Sequence, residues 1–345
     1  MKVTHALTLS RHPVLVSDPK MIQYLIGAHF EVGERFLGLL LQRNEVRLFL
    51  NKLFPYENDQ IKIIRFSDEE DPIHMLAKVW DEDTLKVDHN LASGFLLKLM
   101  RLKPLADYHI DTTMDQIRSI KDDEEINFMR EASRLNDEVM SKVPDLLRVG
   151  VLESEVASKI VELFNTSSDG ISFKPIIAFG DHASDPHANP TDRALKANEA
   201  IVVDMGCKYK GYCSDMTRTF FIGHNSMKEV YETVYKANMA AIKKVKPGVS
   251  LSDIDKAARS VIEEAGYGQY FIHRTGHGIG SSVHEPYPVS SDSQIICREG
   301  MIFSIEPGIY LPGSGGIRIE DLVLVTKDGC DVLNAYPKDQ EIIIP

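Results

Sequence analysis

Two patterns of apolar and polar residues divide the chain near residue 118. In the first part, short apolar runs rich in Val, Ile, Leu and Phe alternate with polar segments, a pattern typical of strands. We predict strands over residues 35–42, 45–52, 61–66 and 84–87, and a helix over residues 91–102. These elements indicate a small α/β domain, and no catalytic motif is found within it.

A helical pattern follows a boundary at residues 111–115. The acidic run at residues 122–125 suits the positive end of a helix dipole, so it predicts a solvated helix start. Apolar residues then recur at helical spacing, at Ile126, Met129, Ala132 and Leu135. The second part of the chain therefore opens with a helix.

The second part also contains a repeated signal. Residues 150–156 match residues 248–254, and each copy places a serine, with an acidic residue beside it, where it can cap the next helix. Chance is one explanation, because such caps are common. The other is two related halves, and it is favoured because each copy leads into a predicted hairpin with two carboxylates.

The first predicted hairpin spans residues 200–223. Strands over 201–203 and 217–222 flank a turn at 208–211. A turn centred between Tyr209 and Lys210 would place Asp204 directly opposite Asp215, where two like charges are destabilising unless a cation lies between them. Aspartate is depleted in strands, so a pair of exposed strand acids is the less favoured interpretation.

The second predicted hairpin spans residues 301–325. A strand over 301–305 leads to Glu306, residues 307–316 form a long turn, and a strand over 317–325 returns with Arg318 and Glu320 on one face. An internal Arg318–Glu320 pair on a solvated face is the alternative to a functional carboxylate.

A histidine between glycines, His277, lies between the two hairpins. Its imidazole and the four strand-borne carboxylates suit two hard or borderline divalent ions. The sequence therefore predicts a metal pair held by Asp204, Asp215, His277, Glu306 and Glu320. Mn²⁺, Co²⁺, Zn²⁺ or Fe²⁺ fit this set, whereas Ca²⁺ fits less well with an imidazole ligand.

The length, the net charge and the apolar runs of the chain limit the kinds of partner that it can bind. The 345 residues favour two domains, and the net charge of −12 disfavours nucleic acid. No apolar run reaches the roughly 20 residues that span a bilayer. The start of the chain has no signal-like pattern, so we expect no membrane partner and a cytoplasmic protein.

None of the four cysteines forms a C-x-x-C pair, and a Cys207–Cys213 disulfide is disfavoured in the reducing cytoplasm.

The order of the five predicted ligands resembles the pita-bread metallopeptidases, which include methionine aminopeptidase, aminopeptidase P and prolidase. The resemblance covers residue 115 to the C-terminus. The local sequences that carry it are Val203-Asp204-Met205-Gly206, Ser214-Asp215-Met216-Thr217-Arg218-Thr219, Gly276-His277-Gly278-Ile279-Gly280, Glu306-Pro307-Gly308-Ile309-Tyr310 and Gly316-Ile317-Arg318-Ile319-Glu320-Asp321. His284-Glu285-Pro286 is similar to the His-(Asp/Glu)-x-Pro element of the proline-specific branch, although Pro286 follows the acid directly.

The resemblance implies an α+β fold. Residues 119–345 would form a catalytic pita-bread domain with two pseudo-symmetric halves, and residues 1–118 a creatinase-type α/β domain. It also implies a homodimer that hydrolyses short peptides with proline at P1′. Prolidase is favoured, and the alternatives are an Xaa-Pro aminopeptidase, a methionine-type aminopeptidase and a non-catalytic binding module. The complete ligand set disfavours the module and the metal-free creatinase.

The resemblance also implies roles for individual residues. Glu306 would act as general base as well as ligand, and His284 and His187 would be catalytic groups that contact the substrate. Arg318 would orient a ligand or bind the substrate, and Tyr310 would contact the substrate, with Phe179 as a further apolar wall. The cofactor would be two divalent ions, with manganese favoured over cobalt, zinc or iron. His182 and His273 receive no role.

Overall fold

The computed structural model describes residues 2–43, 45–224, 227–338 and 342–344. The chain forms two compact units, Met1–Ile117 and Arg118–Pro345. The division falls within helix α5 (Thr113–Ser119). Among the described residues, no helix combines the length and the apolar character that a membrane crossing needs.

The first unit is a six-stranded sheet with helices on both faces. Its elements before α5 are α1 (Lys2–Leu9), β1 (Val14–Val16), α2 (Pro19–Ile26), β2 (Gly38–Gln42), β3 (Glu45–Asn51), β4 (Lys62–Phe66), α3 (Pro72–Val79), β5 (Thr84–Val87), α4 (Ser93–Leu102) and β6 (Asp107–Ile110). The strand order is β4-β3-β2-β1-β5-β6. Side chains alternate between faces, so Leu39 and Leu41 pack with Leu25 of α2, whereas Leu40 packs with Leu76 of α3.

The predicted strands of this unit are found, with shifted ends. The strand over 84–87 matches β5, and those over 45–52 and 61–66 differ from β3 and β4 by one residue. The strand predicted from residue 35 begins at Gly38 instead. The Arg35 amide donates to the Val32 carbonyl at 3.2 Å, so the chain is still turning at that point.

The second unit repeats one arrangement, two helices followed by a sheet. Its elements are α6 (Asp123–Met140), α7 (Glu153–Ser167), β7 (Ile176–Phe179), β8 (Ala200–Met205), β9 (Lys208–Tyr209), β10 (Tyr212–Cys213), β11 (Met216–Ile222), α8 (Lys228–Lys244), α9 (Leu251–Glu264), β12 (Gly276–Gly278), β13 (Glu285–Val289), β14 (Ile302–Ile305), β15 (Gly308–Leu311), β16 (Gly315–Arg318), β17 (Asp321–Val325), β18 (Cys330–Val332) and β19 (Ile342–Ile344). The two main sheets have the orders β19-β11-β8-β7 and β13-β12-β14-β17-β18. This repetition is the pair of related halves expected from the sequence.

The two matching helix starts differ in their caps. At α9, Ser250 accepts a hydrogen bond from the Asp253 amide at 3.1 Å, so a serine caps this helix two residues before the serine that matches Ser154. At α7 the capping position is Leu152, and Ser154 lies inside the first turn. The Glu155 carboxylate instead accepts from the Leu152 amide at 3.1 Å, so the serine cap predicted for this copy is wrong.

The register of the first hairpin differs from the prediction by two residues, because the centre of the turn lies one residue further along the chain. Lys210 and Gly211 have φ of 51° and 81°, the backbone of a two-residue hairpin turn, so the turn lies further along the chain than predicted. Asp204 therefore faces Thr217, and Asp215 lies just before β11. The predicted direct opposition of Asp204 and Asp215 is wrong, and the two residues are diagonal neighbours.

The long turn predicted at residues 307–316 is also wrong, because it contains strands of its own. β15 pairs with β16 through Gly308 and Arg318, while β14 pairs with β17 through Ile305 and Asp321. Both pairings have the same register. Glu306 and Glu320 therefore lie level with each other where one strand pair passes into the next.

Candidate metal centre

The five predicted ligands converge on one cavity of the second unit, with a volume of about 470 Å³. Asp204 comes from β8, Asp215 from the residue just before β11 and His277 from β12. Glu306 and Glu320 flank the ends of β14 and β17. The first half of the repeat thus supplies two carboxylates, and the second half an imidazole and two carboxylates.

The ligand atoms lie close together. Asp215, His277 and Glu320 each present one donor atom, and these atoms all lie within 4.8 Å of one another. Nε2 of His277 is 3.7 Å from Oδ2 of Asp215 and 3.4 Å from Oε1 of Glu306. Nδ1 of His277 lies 3.1 Å from the Gly278 carbonyl, which can only accept, so Nδ1 carries the hydrogen and Nε2 keeps its lone pair.

The backbone around His277 requires a glycine. A Cβ at Gly276 would lie 1.9 Å from the Ser304 carbonyl oxygen, which no side chain tolerates. This close approach brings the Ser304 hydroxyl to the His277 amide, from which it accepts at 3.0 Å. The same hydroxyl donates to Oε1 of Glu306 at 3.1 Å. One serine therefore fixes the relative positions of two predicted ligands.

Thr217 and Arg318 hold the remaining carboxylates. The Thr217 hydroxyl donates to Oε2 of Glu320 at 2.8 Å and accepts from Nε of Arg318 at 3.1 Å. Nη2 of Arg318 donates to Oδ2 of Asp204 at 2.8 Å. The Arg318–Glu320 pair considered for a solvated face is not formed, because both residues are buried and Thr217 lies between them.

Burial and mutual repulsion make the charged forms of these carboxylates unfavourable unless a cation is bound. Burial raises the pKa of Asp215 and of Glu320 well above the ordinary value, and the neighbouring carboxylates raise both further. Burial also raises the pKa of Glu306 to about 7. Among the described residues, Oδ1 of Asp204 and Oδ1 of Asp215 are buried without a hydrogen-bond partner. Carboxylate and imidazole donors in this state fit divalent cations.

These shifts predict an unusual pH dependence for the metal-free protein. A carboxyl group whose pKa is raised by folding binds its proton more tightly in the native state. For Glu306, the pKa is 4.5 in the unfolded chain and about 7 in the fold. The proton on this carboxyl group therefore stabilises the fold fully below pH 4.5, and this contribution is lost as the pH rises through about 7. His277, whose pKa burial lowers to about 3 from 6.5, is protonated near pH 6.5 only in the unfolded state, so it opposes this fall up to roughly pH 7.5 and contributes nothing above it.

We therefore expect the free energy of unfolding of the chelated protein to fall between about pH 6.5 and 8.5, by on the order of 1–3 kcal/mol. Calorimetry in the presence of a chelator measures this slope. The Glu306→Gln variant, which cannot titrate at this position, is the control and should show a shallower slope. Equal slopes in the two proteins would contradict the shift at Glu306.

The other predicted site residues fall into two groups. His284 and His187 line the cavity and are exposed, and the His284 ring lies 4.2 Å from that of His277. Tyr310 and Phe179 are buried and are not among the cavity-lining side chains. The Tyr310 hydroxyl instead accepts from Nη1 of Arg318 at 2.9 Å, so the predicted substrate contacts of Tyr310 and Phe179 are corrected to positions behind the cavity wall.

Sequence reasoning missed several cavity residues. Phe173, Ile176 and Val283 form its apolar wall, and Arg274 and His273 also line it. Nothing in the local sequence marks the first three, because isolated apolar residues near strand ends also fill cores. Arg274 lies three residues before His277, and this closeness to a predicted ligand is the one signal that the sequence offers.

The fold and the site together define a metal-dependent peptidase with a pita-bread catalytic domain. The chain belongs to Metallopeptidase family M24, whose sequence profile matches residues 127–327. The expected fold class and the resemblance to the proline-specific branch are both confirmed by this match and by the solved relatives.

Three relatives illustrate the similarity. An uncharacterized peptidase of Staphylococcus aureus is 37% identical over an alignment of 341 residues, and the match covers 94% of this chain and 94% of the relative. The crystal structure of dipeptidase PepE from Mycobacterium ulcerans is 31% identical, has a TM-score of 0.93, and matches 100% of this chain and 97% of its own. The Xaa-Pro dipeptidase from Bacillus anthracis is 28% identical with a TM-score of 0.88, over 99% of each chain.

Proposed function

We propose that this protein is a dinuclear-metal dipeptidase that cleaves Xaa-Pro bonds, that is, a prolidase. The observation that carries the proposal is one cavity in which the five-ligand cluster adjoins an apolar wall. The similarity to the Xaa-Pro dipeptidase from Bacillus anthracis supports the same assignment. A homodimer in the cytoplasm stays a prediction.

The metal site would hold two divalent ions, with manganese favoured. Asp204, Asp215, His277, Glu306 and Glu320 would be the ligands. Two such ions supply a water of lowered pKa and polarise the scissile carbonyl. The hydrogen bonds from Ser304, Thr217 and Arg318 orient the carboxylates for this task.

Protein side chains would move the protons. Glu306 would accept the proton of the attacking water and return it to the leaving nitrogen, since its carboxylate faces the cavity. His284 would donate a hydrogen bond to the carbonyl oxygen as negative charge develops. His187 would contact the leaving-group side. Arg318 would act by orienting Asp204, because its guanidinium is buried and already bonded to three side chains.

The apolar wall suits proline at P1′. An Xaa-Pro amide has no N–H, so a site that selects it gains from apolar contact and needs no acceptor for an amide hydrogen. Phe173, Ile176 and Val283 offer such contact beside the metal ligands. These three residues take over the role first given to Tyr310 and Phe179.

Metal add-back tests the proposal. After chelation, activity should return with Mn²⁺, and Leu-Pro should be cut in preference to Leu-Pro-Pro and Met-Ala-Ser, as measured by release of free amino acids. Equal cutting of Leu-Pro-Pro would instead indicate an Xaa-Pro aminopeptidase. Cutting of Met-Ala-Ser alone would indicate a methionine-type enzyme, and no cutting with metal bound would indicate a binding module.

A further inference from the structure

Asn238 is a polar residue on the buried, apolar face of helix α8. It lies beside Val234, Ala237 and Ala241, which pack in the core of the second half. Its side chain is fully buried. An amide among apolar side chains is costly unless its nitrogen and its oxygen both find hydrogen-bond partners. The partners of Asn238 therefore indicate why an asparagine stands at this position.

The Asn238 amide bonds to two strand ends at once. Its Nδ2 donates to the Ile305 carbonyl at 3.0 Å and to the Ile319 carbonyl at 3.4 Å. This nitrogen carries two hydrogens, one for each carbonyl. Ile305 directly precedes the predicted ligand Glu306. Ile319 holds the same place before Glu320, so one side chain links the backbone beside two predicted ligands.

The orientation of this amide is fixed from its other side. Oδ1 of Asn238 accepts from Nζ of Lys338 at 2.9 Å, so the oxygen faces an ammonium group and the nitrogen faces the carbonyls. Lys338 also donates to buried Asp321. Exchanging the two ends of the amide would place oxygen against two carbonyls and nitrogen against a cation, and neither contact is a hydrogen bond.

The two bonds of Asn238 lie where one strand pair passes into the next. Ile305 ends the pairing of β14 with β17, and Gly308 begins the pairing of β15 with β16. Glu306 and Glu320 belong to neither ladder, so these ladders do not fix their separation. Their carboxylates line one cavity, where like charges repel. A single amide that bonds beside both residues opposes their separation.

Buried asparagines also bond beside the other two predicted carboxylate ligands. Nδ2 of Asn136 in α6 donates at 2.9 Å to the carbonyl of Met205, the residue after Asp204. Nδ2 of Asn334 donates to the carbonyl of Asp215 itself at 3.2 Å. Helices α6 and α8 are the first helices of the two halves. The same kind of bond in both halves indicates that these amides serve the ligand-bearing backbone.

We propose that Asn238 is a positioning residue of the metal centre, which sets the separation of the Glu306 and Glu320 carboxylates through the two carbonyls that precede them. The proposal rests on the proposed function, because it takes both glutamates as metal ligands. Asn238 is not among the cavity-lining residues, so it acts through the backbone. Its loss should leave the chain folded and allow the two carboxylates to move apart.

Cobalt binding to the full-length protein tests the proposal. Wild type, Asn238→Leu and Asn238→Gln are treated with a chelator and titrated with Co²⁺, whose visible absorption bands report the number and geometry of its ligands. Leucine has the branched shape of asparagine without the amide, whereas glutamine keeps the amide on a longer side chain. Asn51→Leu is the matched control, because Asn51 is a buried asparagine of the first unit that donates to Asp68.

In Asn238→Leu, we expect the affinity for Co²⁺ to fall roughly 10–100-fold, the usual cost of losing an outer partner of a metal ligand, and the absorption bands to shift. The kcat for Leu-Pro should fall by a similar factor, with KM changed little. Asn238→Gln should lie between Asn238→Leu and the wild type. Asn51→Leu should unfold at a lower urea concentration but keep the affinity and the bands of the wild type.

Wild-type bands and affinity in folded Asn238→Leu would overturn the proposal. Equal changes in Asn238→Leu and Asn51→Leu would also overturn it, because they would indicate a general loss of stability. If Asn238→Leu does not fold, Asn238→Ala, which lacks the amide and adds no bulk, takes its place in the same comparison.

Glu306→Gln and Glu320→Gln separate this proposal from the proposed function. Each replaces a predicted donor, so each should alter the cobalt bands. Altered bands in both, together with unaltered bands in Asn238→Leu, would overturn the positioning role alone. Unaltered bands in all three variants would overturn the ligand assignment as well. The preference among Leu-Pro, Leu-Pro-Pro and Met-Ala-Ser, which tests the Xaa-Pro specificity, does not enter the cobalt readout.

Discussion

Alanine at position 215 should abolish peptide hydrolysis and leave the protein folded. Asp215 offers one donor atom in a cluster with His277 and Glu320, so the substitution removes one of the predicted metal ligands. The rate should fall by more than the roughly 10–100-fold that removal of an outer partner of a metal ligand costs. Metal content after dialysis, measured by atomic emission, should fall with the rate.

Asp215→Ala should not lower the free energy of unfolding of the metal-free protein, although removal of a buried polar side chain usually does. Asp215 is 3% exposed, and its raised pKa shows that its charge is unfavourable in the metal-free fold. The metal-free variant should therefore be at least as stable as the metal-free wild type, and metal should no longer raise its melting temperature. Asp292→Ala, at an exposed position outside the cavity lining, is the control. Wild-type activity in Asp215→Ala would remove this residue from the site.

Glutamine at position 306 should reduce kcat by roughly 10²–10⁴, the usual contribution of general acid–base catalysis. The amide keeps the size of the carboxylate and can still accept from Ser304, but it cannot take a proton from water. We expect metal to stay bound, because four other ligands remain. Steady-state kinetics and metal analysis on the same sample measure both properties.

Glu299→Gln is the matched control for this change, because Glu299 is exposed and outside the cavity lining. An unchanged kcat in Glu306→Gln would exclude the base role. Loss of metal together with activity would show that Glu306 acts mainly as a ligand.

The sequence predicted correctly which residues lie together in one cavity, but it did not predict the strand registers that bring them there. The five predicted ligands stand in sequence motifs, and the structure brings all five to one cavity. The register of the first hairpin was wrong because the positive φ of Lys210 is a property of the folded turn. The pairing of β15 with β16 was missed because a Gly- and Pro-rich run predicts a turn more strongly than a strand.

Side-chain direction was the other limit. Tyr310 stands beside a ligand motif and was expected to face the substrate, but its hydroxyl faces Arg318 and His273. Phe173 and Ile176 carry no motif and yet form the cavity wall. In the first unit, β1 is only three residues long and wholly buried, and so short a run shows no periodicity from which a strand can be inferred.

The division of the ligands between the two halves has a consequence for motion. Neither half holds enough donors for a metal pair, so bound metal would fasten one half to the other. Its binding energy would then oppose any opening between them. The strands β11 and β17 lie on either side of the predicted metal site. Their amide hydrogens should exchange with solvent more slowly as metal is added. The metal pair would therefore act as a clasp that closes the catalytic domain as well as its reaction centre.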